Sequence, residues 1–322
     1  MLPIPDGLGL ASSARWRHHA NEPRPSSIVA LMNASAVIRL MRPRQWTKNL
    51  AVFAALLFSH NILNAGMLAR VCLGFIALCF SASALYAAND AVDAERDRQH
   101  PSKRTRPVTA GDISVTQAWM IAVVLLAAGL ALSWSLGIGF FTAVAGYVVL
   151  QGLYTAGLKN VAIVDMLVIA AGFVIRATAG ALVIGVRVSP WLVLCAGLLA
   201  LFLAAAKRRH ELKLLRGHSH EHRPVLGEYS AELLDSFMVT LSAATITSYA
   251  LYTFFEAAAP DYLMMLTIPF VIYGILRYQL LVLIRSGGGQ PEEILLGDAP
   301  ILACIALWAT SSMAVLYLGP LL

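Results

Sequence analysis

Nine stretches of this chain are each long and apolar enough to cross a lipid bilayer, which takes about 20 mostly apolar residues in a helix. They fall at 48–64, 69–92, 114–134, 137–157, 162–184, 190–211, 232–256, 262–284 and 299–319. The first is the shortest and has polar flanks. Of the 322 residues, 58% are hydrophobic and 13% are charged. A soluble domain carries about 25% charged residues. Mean hydropathy is +0.70. The pattern predicts an all-α integral membrane protein, a bundle of about nine transmembrane helices with the lipid bilayer as its solvent.

The net charge of +6 does not point to nucleic acid, because the cations sit beside the apolar runs and follow the positive-inside bias. Arg39, Arg42, Arg44 and Lys48 precede the first span. Arg96, Arg98, Lys103, Arg104 and Arg106 follow the second, and Lys207, Arg208, Arg209, Lys213 and Arg216 close the sixth. On the other side, Ser133–Gly137 and Ala257–Asp261 hold no cation, and Gly185–Pro190 holds only Arg187. These loops predict a multi-pass protein of the cell membrane with a cytoplasmic N-terminus and an outer C-terminus. Residues 1–30 lack the apolar run of a signal peptide and are expected to be a disordered cytoplasmic tail. Residues 31–44 suit an interfacial amphipathic helix. Residues 31–322 then form one transmembrane domain, capped on the cytoplasmic side by inter-helix loops. Small residues such as Gly172, Gly180 and Ala181 permit close helix packing, within one chain or in a homo-oligomer.

Cys72, Cys79, Cys195 and Cys304 all lie in apolar stretches without metal-ligand spacing, so neither zinc nor a disulfide framework is expected. His218, His220 and His222 read as a solvated loop. Gly287–Gly289 lacks the Lys and Ser/Thr of a phosphate-binding P-loop.

Chemistry concentrates in Asn89-Asp90-Ala91-Val92-Asp93-Ala94-Glu95-Arg96-Asp97, at the cytoplasmic end of the second span. On a continuous helix, Asp90, Asp93 and Asp97 fall within an arc of roughly 60°. Three carboxylates on one face repel unless a hard cation lies between them. Oxygen-only ligands favour Mg²⁺, which binds readily alongside substrate phosphates. A solvated helix end could carry the same residues, but acids entering a membrane bundle are expensive. Lys103, Arg104 and Arg106 follow closely and suit a polyanion, Arg as a planar fork and Lys as a point charge.

Other candidate substrate ligands lie at the same face. Tyr154 and Lys159 end the fourth span, with Asp165 shortly after. Lys207 and Arg208 end the sixth, where Lys207 and Glu211 are four apart and could pair. Lys48 stands where the first span enters the membrane, beside Trp46, a natural interfacial anchor. Arg176 lies well inside the fifth span and is a candidate to line a cavity. Arg277, inside the eighth, reads instead as half of a structural ion pair.

The NDxxDxxxD pattern of Asn89–Asp97 and the helix count resemble the UbiA superfamily of intramembrane prenyltransferases, over roughly residues 38–320. The resemblance implies metal-bound diphosphate at the cytoplasmic helix ends, with Asn89, Asp90, Asp93 and Asp97 around the metal. One departure matters. Where the superfamily carries a second aspartate-rich motif after helix 6, this chain reads Lys207-Arg208-Arg209-His210-Glu211-Leu212, so a second metal site is not implied. RPRQWTKN (42–49), NDAVDAERDRQHPSKRTRP (89–107), YTAGLKN (154–160), KRRHEL (207–212) and PEEILLGD (291–298) are similar to a phosphoribosyl-transferring branch. That branch moves 5-phosphoribose from phosphoribosyl pyrophosphate (PRPP) to decaprenyl or another polyprenyl phosphate, and its product feeds decaprenylphosphoryl arabinose for cell-wall arabinan. The other reading is prenyl transfer from a prenyl diphosphate to an aromatic acceptor. A transporter would place ionisable groups near mid-membrane on several helices, whereas most here gather at one face.

Overall fold

The computed structural model describes residues 33–98, 103–214, 224–255, 260–284 and 291–319. The tail 1–30, the His218–His222 run and the Gly287–Gly289 run lie outside the described residues. From Asn33 onward the chain forms one unit, helical throughout its described elements.

A short helix α1 (Ala34–Met41) opens the chain, within the expected amphipathic stretch, with Asn33 accepting from the Ser35 amide at 3.1 Å as its cap. The expected first span is not a regular α-helix. It is a 3-10 helix over Pro43–Phe53 followed by a single-turn helix α2 (Ala54–Phe58). A 3-10 helix rises about 2.0 Å per residue and an α-helix about 1.5 Å. From Pro43 to Phe58 the segment therefore reaches roughly 30 Å, with residues 43–48 forming its polar end. The other eight spans are helical stretches long and apolar enough to cross by themselves. They are α3 (Ala65–Val92), α5 (Val115–Leu136), α6 (Ile138–Ala156), α7 (Val164–Ile184), α8 (Pro190–Leu214), α9 (Ala231–Phe255), α10 (Ile268–Leu283), which reaches span length only with the 3-10 segment Pro260–Thr267 before it, and α12 (Ala299–Leu318). Short helices α4 (Ala94–Arg98) and α11 (Pro291–Gly297) lie between them.

Tertiary partners hold the irregular first segment in place. Its backbone lies directly against α7, where a Cβ on Gly180 would stand only 2.0 Å from the Val52 carbonyl oxygen. One turn away, Arg176 Nε donates to Asn49 Oδ1 at 2.8 Å. Gly180 therefore serves packing within the chain.

Two apolar cores flank α7. One gathers Leu56, Leu78, Phe140 and Tyr147 from the first segment, α3 and α6. The other gathers Phe202, Met238, Tyr278 and Ile301 from α8, α9, α10 and α12. A third, smaller core joins α1 through Leu40 to Ala87 and Ile113. α3 and α7 are the most enclosed spans, and α5 and α6 the most peripheral. α5 and α6 are joined by Gly137 alone, whose φ of 126° suits only glycine. At that same end Arg70 of α3 donates to the Leu136 carbonyl at 2.5 Å and to the Val183 carbonyl at 2.8 Å. One side chain thus satisfies carbonyls at the ends of two helices, which lack partners within their own helix. Arg277 pairs with Asp298 at 3.0 Å, as expected of a structural pair, and Asp298 also caps α12 through the Ile301 amide.

Candidate active site

α3 carries Asn89 and Asp90 into the bundle and stops at Val92. Asp93 takes the cap position with φ near −90° and ψ near 0°, and the chain resumes as α4, which carries Asp97. The expected continuous helix is thus broken at Asp93, although the Asp97 amide still donates to the Asp93 carbonyl at 2.8 Å. The break sorts the three acids. Asp90 and Asp97 are buried (1% and 2% exposed), whereas the Asp93 side chain is 28% exposed. Asn89 is half-buried beside them.

Cations close this pair from three sides. Arg106 Nη1 reaches both carboxylates, Asp90 Oδ1 at 3.1 Å and Asp97 Oδ2 at 2.6 Å. Lys103 Nζ stands 3.5 Å from Asp97 Oδ1. Arg42 Nη2 donates to Asp90 Oδ1 at 2.5 Å, and its guanidinium lies over the Tyr86 ring at 5.1 Å. Arg42 was read in the sequence only as a topological charge. Its signal is the following Pro43, which disfavours continued α-helix at the residue before it. The helix ends at Met41, and Arg42 adopts φ 53°, ψ 62°, a left-handed conformation uncommon outside glycine and concentrated at functional sites. Trp46 extends the elbow: its indole N–H donates to Ser83 Oγ at 3.1 Å, and Ser83 donates to the Met41 carbonyl. Arg104 is exposed beside the group. His100, Pro101 and Ser102 lie outside the described residues.

The donor set fits a divalent cation. Asp90 Oδ2 is buried without a hydrogen-bond partner, an arrangement costly for a carboxylate oxygen unless a ligand completes it. Among the described residues no three acidic, His or Cys side chains form a metal cage by themselves. A cation here would be held by Asp90 and Asp97 together with substrate phosphates, as Mg²⁺ commonly is.

A second polar group surrounds the ends of α6, α7 and α8. Arg208 is fully buried and spends its guanidinium on Asp165 Oδ2 (2.5 Å), Glu211 Oε2 (2.7 Å) and the Tyr154 hydroxyl (3.1 Å). Tyr229 donates to Asp165 Oδ1 at 2.8 Å and accepts from the Ile163 amide. Burial pushes the Tyr229 phenol up to about 12, so it stays protonated as that donor. Sequence reading missed Tyr229, because its pairing with a residue 64 positions away leaves no local pattern. Arg209 is also engaged, with Asp235. Lys207 lies half-buried within electrostatic reach of Lys48, Tyr154, Arg208 and Glu211, without the expected close ion pair to Glu211 among the described residues. Lys48 donates to Gln45 Oε1 at 2.5 Å. Lys159 sits half-buried in the 3-10 turn Leu158–Asn160.

Arg176 belongs to neither group. It is bound to Asn49, to the Gly172 carbonyl (3.0 Å) and to the Tyr147 hydroxyl (2.8 Å), and it lies 4.4 Å over the Tyr147 ring. It braces the first segment where cavity lining was expected, since each of its three guanidinium nitrogens has a protein acceptor.

Between α8, α9, α10 and α12 an apolar chamber of about 500 Å³ opens, lined among others by Phe58, Trp191, Leu203, Tyr249, Ile301 and Trp308. Along α8 it runs from Trp191 to Leu203, about 18 Å at 1.5 Å per residue.

Comparison with known proteins agrees with this architecture. The chain is 35% identical over 317 residues to a decaprenyl-phosphate phosphoribosyltransferase of Mycolicibacterium smegmatis, covering 93% of this chain and 98% of that protein. It is 33% identical over 296 residues to the Corynebacterium glutamicum protein of the same name, covering 89% of each. The fold superposes with a TM-score of 0.68 on a UbiA homolog from Archaeoglobus fulgidus bound to GPP and Mg²⁺, at 23% identity, covering 87% of this chain and 99% of that one. Residues 50–291 match the UbiA prenyltransferase family, and with a membrane-spanning helix ending in paired buried aspartates, this chain belongs to that family.

Proposed function

We propose that this protein transfers 5-phosphoribose from PRPP to decaprenyl or another polyprenyl phosphate, releasing pyrophosphate, in a Mg²⁺-dependent reaction at the cytoplasmic face of the cell membrane. The observation that carries this reading is the mouth of α3. Two buried aspartates, one with an unpartnered oxygen, are ringed by Arg42, Lys103 and Arg106. Such an alternation of acid and base suits a diphosphate bridged to carboxylates by a cation. The relatives at up to 35% identity are named for phosphoribosyl transfer and for decaprenyl phosphate, which supports the same transferred group and acceptor.

Asp90 and Asp97, with Asn89 half-buried beside them and Asp93 at the exposed edge of the cluster, would hold the Mg²⁺, which would supply neutralising charge to the diphosphate when bound. Arg42, Lys103 and Arg106 steady the same diphosphate as it leaves with the electron pair of the C1–O bond. Arg104, next to Lys103, and Lys159, half-buried after the end of α6, are candidates for the 5-phosphate. An oxygen of the lipid phosphate forms the new bond to ribose C1. That oxygen is already anionic, so no side chain has to remove a proton. Catalysis is then mostly positioning and electrostatics. The apolar chamber, within the range of about 300–1,000 Å³ usual for ligand sites, receives the first part of the lipid tail and leaves the rest to the bilayer.

Purified protein incubated with labelled PRPP, polyprenyl phosphate and Mg²⁺ should move label into the organic phase, and a chelator should stop it. Family membership keeps prenyl transfer as the competing reading. Turnover of a prenyl diphosphate with an aromatic acceptor, and none with PRPP, would establish it instead.

A further inference from the structure

Along α3, Ser83, Tyr86 and Asp90 follow one another at intervals of three and four residues and so share one helix face. The elbow between α1 and the 3-10 segment lies against that face at three levels. Ser83 Oγ donates to the Met41 carbonyl at 2.9 Å and accepts from the Trp46 indole N–H at 3.1 Å, and Ser83 is fully buried. The Tyr86 ring lies against the Arg42 guanidinium at 5.1 Å, and Asp90 Oδ1 accepts from Arg42 Nη2 at 2.5 Å. One hydroxyl thus clasps the chain on both sides of Arg42.

The elbow needs such a clasp. A helix that ends on a left-handed residue ordinarily places Gly or Asn there, whereas α1 ends on Arg42 at φ 53° and ψ 62°. That conformation is costly for a residue with a Cβ and persists only where the surroundings fix it. Pro43 disfavours the right-handed helical region at Arg42 but leaves the extended region open, and an extended Arg42 would turn its side chain elsewhere. The Met41 carbonyl belongs to the planar peptide unit that leads into Arg42, so its bond to Ser83 sets the orientation of that unit. The Trp46 bond fixes the chain beyond the elbow. A tryptophan that served only as an interfacial anchor would turn its N–H to water or headgroups.

We infer that Ser83 and Trp46 are positioning residues, whose shared hydrogen bond holds the elbow in its left-handed shape and so aims Arg42 at the diphosphate of the donor. Both act through Arg42. The inference rests on the reading of the Asp90–Arg106 mouth as a diphosphate site and adds to it the two side chains that preorganise one of its cations.

The test measures binding of inorganic pyrophosphate with Mg²⁺ to the substrate-free protein, by calorimetry in detergent. Ser83→Ala should weaken that binding about tenfold, the low end for a hydrogen bond to a charged group. It should raise KM for PRPP by a similar factor and leave KM for polyprenyl phosphate within about twofold. Ser83→Thr keeps the hydroxyl and should keep the affinity. Trp46→Phe spares the Ser83–Met41 bond, should weaken binding about threefold, and serves if Ser83→Ala fails to fold. The sharpest comparison uses an Arg42→Gln background. There Ser83→Ala or Trp46→Phe should add almost nothing, because the group they position is gone. Equal weakening with and without Arg42 would mark a packing role and overturn the inference. So would unchanged pyrophosphate affinity in either variant. If the unmutated protein transfers nothing from PRPP yet binds pyrophosphate, the phosphoribosyl reading falls and the binding cycle still decides the role of Ser83. If it binds no pyrophosphate, the diphosphate mouth falls and the inference with it.

Discussion

The Asp90–Arg106 mouth and the Asp165–Arg208 knot are built from the same residue types, yet they differ in what is left over. In the knot, Asp165 and Arg208 are fully enclosed, and both carboxylate oxygens and all three guanidinium nitrogens have partners. In the mouth, two aspartates share one arginine nitrogen, one oxygen is buried without a partner, and Asp93 and Lys103 reach solvent. A completed polar network rigidifies; an incomplete one is suited to a ligand. The difference separates a strut from a site more sharply than residue identity does.

That comparison can be broken by mutation. The largest effect expected is on stability, from Asp165→Leu. It strands a buried guanidinium and should cost about 3–5 kcal/mol, read as a fall in melting temperature in detergent. Combining it with Arg208→Met should recover most of the loss, since apolar replacement of a whole buried pair is often neutral. Asp90→Asn should do the reverse. It removes a buried charge that is costly to desolvate and its repulsion with Asp97, against the loss of the partly exposed Arg42 and Arg106 pairs, and leaves the melting temperature nearly unchanged, while phosphoribosyl transfer falls by roughly 10²–10³. If Asp90→Asn melts early and keeps its turnover, the mouth is a second strut. Gly180→Ala probes the link between the regions. It should cost about 1–3 kcal/mol through overpacking and also lower turnover, because it pushes on the segment that carries Arg42 and Lys48. The smallest effect belongs to Ser114→Ala, which removes the capping box of α5. It should cost about 1 kcal/mol and leave turnover unchanged, a control for stability loss alone.

Much of the fold was readable because bilayer crossing demands uninterrupted apolar length, and eight spans obey that demand alone. The first did not read as a 3-10 segment because its conformation is imposed from outside, by Gly180 and Arg176 more than a hundred residues away. The aspartate motif was readable for a local reason, a helical repeat of acids where apolar residues end. Its break at Asp93, which separates one acid from two, was not. Lys207 and Arg208 looked equivalent in sequence, but about 100° of helical rotation gives Arg208 the Asp165 carboxylate and leaves Lys207 without it. Pairings at separations of 43 and 127 residues lie beyond any local pattern.

Arg70 gives the bundle a fixed end. It ties three spans together at the pole opposite Asp90 and Asp97, while the Asp165–Arg208 knot ties α7 again at the other pole, so α3 and α5 are the arms left to swing about Arg70, as in tongs. Deuterium uptake should therefore be slowest around Leu136 and Val183 and fastest around Asp93.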